Sequence, residues 1–150
     1  MKRLPPIDID VALYRIHVVL FIGWDLDAMI AHGRKHGISE GCFTPDWKSW
    51  MSAAIETAAG LCANFGESTK NSDILIWLRD NPTKASEYGP LWHELLHAVD
   101  KIALHADPSA RFFAESGMSE PRAFLYEYLA VKFTQVLWNR KPEKKLKKKN

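Results

Sequence analysis

The segment His93-Glu94-Leu95-Leu96-His97 constrains this chain more than any other, because it specifies both a helix and the side chains on one of its faces. Residues four apart lie on the same face of an α-helix, so both imidazoles can direct a ring nitrogen at one metal ion about 2 Å away. Glu94 then lies beside the ion. A carboxylate there can take a proton from a water whose pKa the metal has lowered and pass it to a leaving amine.

The flanking residues predict that this motif lies on a buried helix from about 90 to 105. Gly89-Pro90 precedes it, and Pro is favoured at the first helical position. Apolar residues recur at helical spacing, namely Leu91, Leu95, Val99 and Ile102. The alternative is a core helix whose two His are only hydrogen-bonded, because so short a motif also arises by chance.

A third metal ligand is expected downstream of His97, since a catalytic zinc usually has three protein ligands and one open position. Glu120 and Glu127 lie on a predicted helix from 119 to 138, capped by Ser119, and their spacing of seven puts them on one face. Glu120 is preferred because the helix dipole favours a first-turn carboxylate, although an ordinary capping charge is its alternative role. Glu127 is then expected to hydrogen-bond a ligand His.

With these residues, the chain resembles the gluzincin branch of zinc metallopeptidases, especially the small single-domain forms of bacterial and phage genomes. The resemblance covers roughly residues 72 to 138 and includes the apolar strand at 74–78. It implies that His93, His97 and Glu120 are the zinc ligands and that Glu94 is the general base. An HExxHxxGxxH string is missing, which excludes the metzincin arrangement.

The expected function is therefore zinc-dependent cleavage of peptide bonds, in which Glu94 deprotonates the attacking water. Tyr126 or Tyr128 is a candidate to hold the oxyanion. The strand at 74–78 is expected to offer a free edge to an extended peptide or protein substrate.

Two alternatives to this function stay open. One is a catalytically silent binding or virion-associated protein with the same fold. The other is a deformylase-like amide hydrolase, because peptide deformylases carry a Glu-Gly-Cys element whose Cys is a metal ligand, and this chain has Glu40-Gly41-Cys42.

Length and composition fit one α+β domain over residues 1–139. The chain has 150 residues, 47% of them hydrophobic, which suffices for one core and leaves no room for a separate substrate domain. The predicted fold is zincin-like, with a sheet of about three strands packed on the HExxH helix and on a C-terminal ligand-bearing helix. Strands are predicted at about 14–22, 57–64 and 73–78, and further helices at 26–36 and from 45 to 51 or beyond.

Residues 140–150 differ from the rest in charge. They contain seven Lys or Arg against one Glu, a net charge of +6, which leaves −4 for the other residues of a chain whose net charge is +2. Such a block predicts a disordered basic tail suited to contacts with polyanions. Sequence-specific binding of nucleic acid is not expected, because no aromatic platform accompanies the charge.

A reduced, cytoplasmic setting in a bacterium or phage-infected host is expected. Cys42 and Cys62 make no disulfide framework, and the first residues lack the apolar region of a secretory signal. The longest apolar run, at 17–24, is far shorter than the roughly 20 residues of a membrane span. We therefore expect no membrane partner.

Overall fold

The computed structural model describes residues 3–67, 72–106 and 120–140, with the side chains of 120 and 121 outside this description. In these ranges the predicted α+β class is confirmed, since one mixed sheet has α-helices on both faces. The strands are β1 (Ile7–Val11), β2 (Ile16–Ile22), β3 (Gly60–Asn64) and β4 (Ile74–Leu78). The helices are α1 (Leu26–Lys35), α2 (Pro45–Thr57), α3 (Gly89–Ala106) and α4 (Glu120–Asn139).

The described sheet has four strands, in the order β1-β2-β4-β3, where about three were predicted. β2 and β4 are parallel, and the two outer pairings are antiparallel. The strand that the prediction left out is β1. Its buried Ile7, Ile9 and Val11 alternate with exposed Asp8 and Asp10, which is the period-two pattern of a strand with one buried face.

β4 lies inside the sheet, between β2 and β3, so the prediction that residues 74–78 offer a free edge is wrong. All five of its side chains are buried, and an apolar run buried on both faces is typical of an interior strand. Among the described strands, the edge strand beside α3 is β3 instead.

The two faces of the sheet carry separate clusters of buried side chains. α3 and α4 pack on the face that includes Leu20 and Ile76, whereas α1 and α2 pack on the face that includes Phe21 and Leu75. Cys42 and Cys62 are both free thiols, and they belong to different clusters. Cys42 packs with the side chains of α1 and α2, whereas Cys62 packs against the cluster on the α3 side. No disulfide therefore joins the two clusters.

Helix starts follow the local signals in the sequence. The Asp25 carboxylate accepts a hydrogen bond from the backbone N–H of Ala28 (2.8 Å) and caps α1. Thr44 caps α2 in the same way by accepting from the N–H of Trp47 (3.3 Å), and α2 continues beyond its predicted end. The proposed cap of α4, Ser119, lies outside the described residues.

The C-terminal tail predicted for 140–150 lies outside the described residues except for Arg140. The guanidinium of Arg140 donates a hydrogen bond to the carbonyl of Pro5 (2.9 Å), so the end of α4 is joined to the segment that precedes β1.

Across the described ranges, no helix combines the length and the apolar character needed to cross a bilayer.

An ion pair between β1 and β2 makes stability depend on pH. Nδ1 of His17 lies 3.0 Å from Oδ1 of Asp8, and this hydrogen bond raises the pKa of His17 above its usual value. Protonated His17 therefore stabilises the fold below the unfolded-state pKa, and this contribution is lost as the pH rises through the higher folded-state pKa.

We expect His17→Gln to lower the free energy of unfolding more at about pH 5 than at about pH 8. Both side chains are nearly half exposed, so the difference should not exceed about 1 kcal/mol. Urea unfolding of both proteins at each pH measures it, and an equal loss at the two pH values would contradict the assignment.

Candidate metal centre

His93 and His97 lie on successive turns of α3, and their rings converge. Their Nε2 atoms are 3.2 Å apart, and the ring planes are nearly perpendicular at 84°. Zinc bonds of 2.0–2.1 Å at the tetrahedral angle place two ligand nitrogens about 3.3 Å apart. The pair thus has the separation of two ligands on one zinc. The same separation fits one N–H···N hydrogen bond when no ion is bound.

The apolar stripe of α3 determines where this pair points. One side of the helix is buried against the sheet through Leu91, Leu95, Ala98, Val99 and Ile102. His93 and His97 face away from that side and are exposed. Water and a substrate can therefore reach both ring nitrogens.

Glu94 faces β3 and is buried, with a side chain on the cleft side of α3. Burial raises the pKa of its carboxyl, although both neighbouring imidazoles and a hydrogen bond from the backbone N–H of Cys62 act in the opposite direction. A carboxylate with a raised pKa is a better proton acceptor near neutral pH.

Gly60 on β3 makes room for the Glu94 side chain. A Cβ atom at Gly60 would lie 3.2 Å from Cγ of Glu94 and 3.0 Å from Cδ2 of Leu78, both closer than ordinary contacts. Sequence reasoning missed Gly60 and the Cys62 backbone. The available signal was a glycine within a predicted strand, which often marks the close approach of another group.

A cleft of about 460 Å³ lies between β3, α2 and α3, within the size range of ligand sites. Its walls include Trp50, Cys62, Glu94, His97 and Lys101. Burial raises the pKa of the Cys62 thiol to about 12. Without a bound metal, the thiol therefore stays protonated.

Both candidates for the third ligand, Glu120 and Glu127, lie on α4, which runs antiparallel to α3. Near one end, Nη1 of Arg122 lies 3.6 Å from Oδ1 of Asp100, and towards the other, Ala130 and Thr134 line a groove with Trp92. These contacts define how far each residue of α4 lies along α3.

Glu127 lies three residues before Ala130 and seven before Thr134, so it shares their side of α4. Glu120 begins α4, seven residues or about 10 Å of helix away, and its side chain lies outside the described residues. In the part of the chain that the structure describes, no group of three or more His, Cys, Asp or Glu could hold a metal. The structure brings His93, Glu94 and His97 together, but not a third ligand.

The two tyrosines lie on different sides of α4. Tyr126 is half-buried in the groove with Trp92, and burial raises the pKa of its hydroxyl. Tyr128 is 41% exposed and lies beside Leu13 and Phe124 on the outer side of the helix. Of the two oxyanion candidates, Tyr126 is the one on the α3 side.

Glu40-Gly41-Cys42 forms a 3₁₀ turn on the opposite face of the sheet from the His pair. Cys42 is buried among the side chains of α1 and α2, and Glu40 pairs with Arg34. Cys42 therefore cannot join the two imidazoles on one ion, and the geometry gives the deformylase-like alternative no support.

Comparison with protein-family models, with curated proteins and with solved structures gives no match to this chain. The chemistry of the site rests on its own residues. Two converging imidazole nitrogens and a buried carboxylate at the mouth of a cleft can bind a divalent metal and accept a proton beside it.

Proposed function

We propose that this protein is a zinc-dependent hydrolase that cleaves peptide bonds, with a zincin-like fold of the gluzincin type. The observation that carries the proposal is the 3.2 Å separation of the His93 and His97 Nε2 atoms, beside a buried Glu94. Imidazole nitrogens suit zinc, and because both rings are exposed, water and a substrate could reach an ion bound between them.

Each residue of the site would have a separate task. The metal, when bound, would supply a water of lowered pKa and polarise the scissile carbonyl. Glu94 would accept a proton from the attacking water and later donate it to the leaving amine. The backbone N–H of Cys62 interacts favourably with the ionised carboxylate. Tyr126 lies on the α3 side of α4, in the groove with Trp92 rather than in the cleft with Glu94, and it is kept as the candidate to donate a hydrogen bond to the oxyanion.

We propose a peptide in extended conformation as the substrate, bound in the cleft along β3. An edge strand presents backbone groups that can pair with an added strand. The edge at Gly60–Asn64 lies directly beside the cleft that Glu94 and His97 line. The two free thiols support a reduced, cytoplasmic setting for this activity.

The third ligand is proposed to be a carboxylate of α4. The sequence favours Glu120 through its first-turn position, and its side chain lies outside the described residues. Glu127 lies within the described residues, where no group of three possible ligands includes it and the two His. We keep Glu120 as the first candidate and Glu127 as the second.

We expect Glu120→Ala to weaken zinc binding by more than about 100-fold, the upper range for loss of a group that only hydrogen-bonds a ligand, and Glu127→Ala to do so less. Competition with a chromophoric chelator measures both affinities. Glu56→Ala, at an exposed glutamate on α2, is the matched control and should bind zinc as wild type does. A larger loss in Glu127→Ala would assign the ligand to Glu127, and no loss in either variant would exclude α4 as its source.

A further inference from the structure

Lys101 is a cation in the catalytic cleft to which the proposed mechanism gives no task. It lies on α3 one turn after His97 and two turns after Glu94, and all three residues line the same cleft. Lys101 is half-buried, whereas most lysines of globular proteins extend into water. A substrate bound beside His97 and Glu94 would therefore come close to Lys101.

The ammonium of Lys101 has no carboxylate partner in the part of the chain that the structure describes. Asp100, which also lines the cleft, pairs instead with Nη1 of Arg122 at 3.6 Å. Glu94 lies seven residues before Lys101, about 10 Å along the helix. Lys101 is also the one Lys or Arg among the described residues that line the cleft.

The charge of Lys101 acts towards β3. Burial raises the pKa of the Cys62 thiol to about 12, and the positive charge of Lys101 opposes this rise. The ammonium is therefore near the edge strand along which we propose that a peptide binds. Trp50, Leu61 and Leu104 line other parts of the cleft. Apolar surroundings lower the effective dielectric constant and so strengthen the attraction between unlike charges.

β3 follows α3 from the catalytic carboxylate towards Lys101. A Cβ atom at Gly60 would lie 3.2 Å from Cγ of Glu94, and two residues further along β3 the Cys62 thiol is affected by the charge of Lys101. An extended chain rises about 3.4 Å per residue, and one turn of helix rises about 5.4 Å. In a peptide added to this edge, the residue beside Lys101 is therefore about two positions from the bond beside His97.

We infer that Lys101 is a specificity-determining residue that binds a carboxylate of the substrate, about two residues from the scissile bond. The inference rests on the proposed function and narrows its substrate class to peptides with a negative charge at that distance. An Asp or Glu side chain and a free C-terminus both supply such a carboxylate. Each can accept a charge-assisted hydrogen bond from the ammonium.

Hydrolysis of paired peptides by the zinc-loaded full chain tests the inference and identifies the source of the carboxylate. One set of pairs has Glu or Gln at each of three positions on either side of the cleaved bond, and another pair has a free or an amidated C-terminus. We expect kcat/KM to favour one carboxylate peptide over its amide partner by about five- to tenfold. Added salt should reduce this preference, because it screens the attraction.

Substitutions of Lys101 test whether this side chain causes the preference. Lys101→Met removes the charge and should make the ratio of kcat/KM values about one, whereas Lys101→Arg should keep the preference. Lys101→Glu should reverse it in favour of a peptide with Lys at the same position. Lys35→Met, at an exposed lysine of α1 on the other side of the sheet, is the matched control and should retain the wild-type preference.

Peptide binding to Glu94→Gln separates this inference from the proposed function. In fluorescence anisotropy, the carboxylate peptide should bind about five- to tenfold more tightly than its amide partner, and Lys101→Met should remove the difference. Cleavage without a carboxylate preference, or a preference that Lys101→Met keeps, overturns the inference and leaves the proposed function in place. Binding that depends on Lys101, without cleavage by wild type, supports the inference and overturns the proposed function. Neither binding nor cleavage of any peptide overturns both.

Discussion

Glu94→Gln is expected to keep zinc content and thermal stability while lowering peptide hydrolysis by about 10²- to 10⁴-fold. Gln has nearly the same shape and can still accept the hydrogen bond from the Cys62 backbone, but it cannot take a proton. Burial already raises the pKa of Glu94, so removing the charge should not destabilise the fold. Hydrolysis of a denatured-protein substrate and metal analysis of the same preparation measure the two effects.

The controls for this substitution separate three explanations. Glu56→Gln, at an exposed site on α2, should hydrolyse as wild type does. Equal activity of wild type and Glu94→Gln would reject the general-base role. If neither hydrolyses denatured proteins or peptide libraries although both bind zinc, the catalytically silent binding or virion-associated protein becomes the better proposal.

His97→Ala is expected to abolish stoichiometric zinc binding, with a loss of affinity well above the roughly 100-fold that removal of an outer hydrogen-bond partner causes. The reason is geometric, because His97 supplies one of the two nitrogens that converge at 3.2 Å. Its side chain is exposed, so the helix should stay folded without it. Metal analysis after dialysis against a defined zinc buffer measures the loss.

The chain contains its own control for this experiment. His32 and His36 are also four residues apart, in the last turn and at the C-cap of α1, but their rings stack with centroids 4.2 Å apart and an angle of 27° between the planes. His36→Ala should therefore retain zinc. Full zinc in His97→Ala would reject the α3 site, and loss of zinc in His36→Ala alone would move the ion to α1.

Helices were predictable from this sequence because their signals are local. The caps at Asp25 and Thr44 and the apolar period of α3 each lie within a few residues of the helix that they define. The sheet was less predictable, because strand order depends on distant residues. The apolar run Ile74–Leu78 indicates burial on both faces, but only the pairing with β2 and β3 shows that β4 is interior.

The residues of the candidate site also divide into those that a local sequence pattern predicts and those that depend on distant parts of the chain. His93, Glu94 and His97 were predictable together, since the helical period alone places two imidazoles on one face. Gly60 and the Cys62 backbone come from another strand, and no local pattern connects them with Glu94. The choice between Glu120 and Glu127 depends on how α4 slides along α3, which is a matter of packing between helices rather than of either helix alone.

The parallel pairing of β2 with β4 also has a kinetic consequence. It joins Val18 to Ile74, 56 positions apart, and the chain between them contains α1, α2 and β3. Closing so long a loop costs entropy before most contacts of the sheet can form, and topologies of this kind fold slowly. The helix with the two His can form transiently much earlier, but its apolar stripe has no surface to pack on until the central strands meet. Assembly of the cleft around Glu94 should therefore be among the last events of folding.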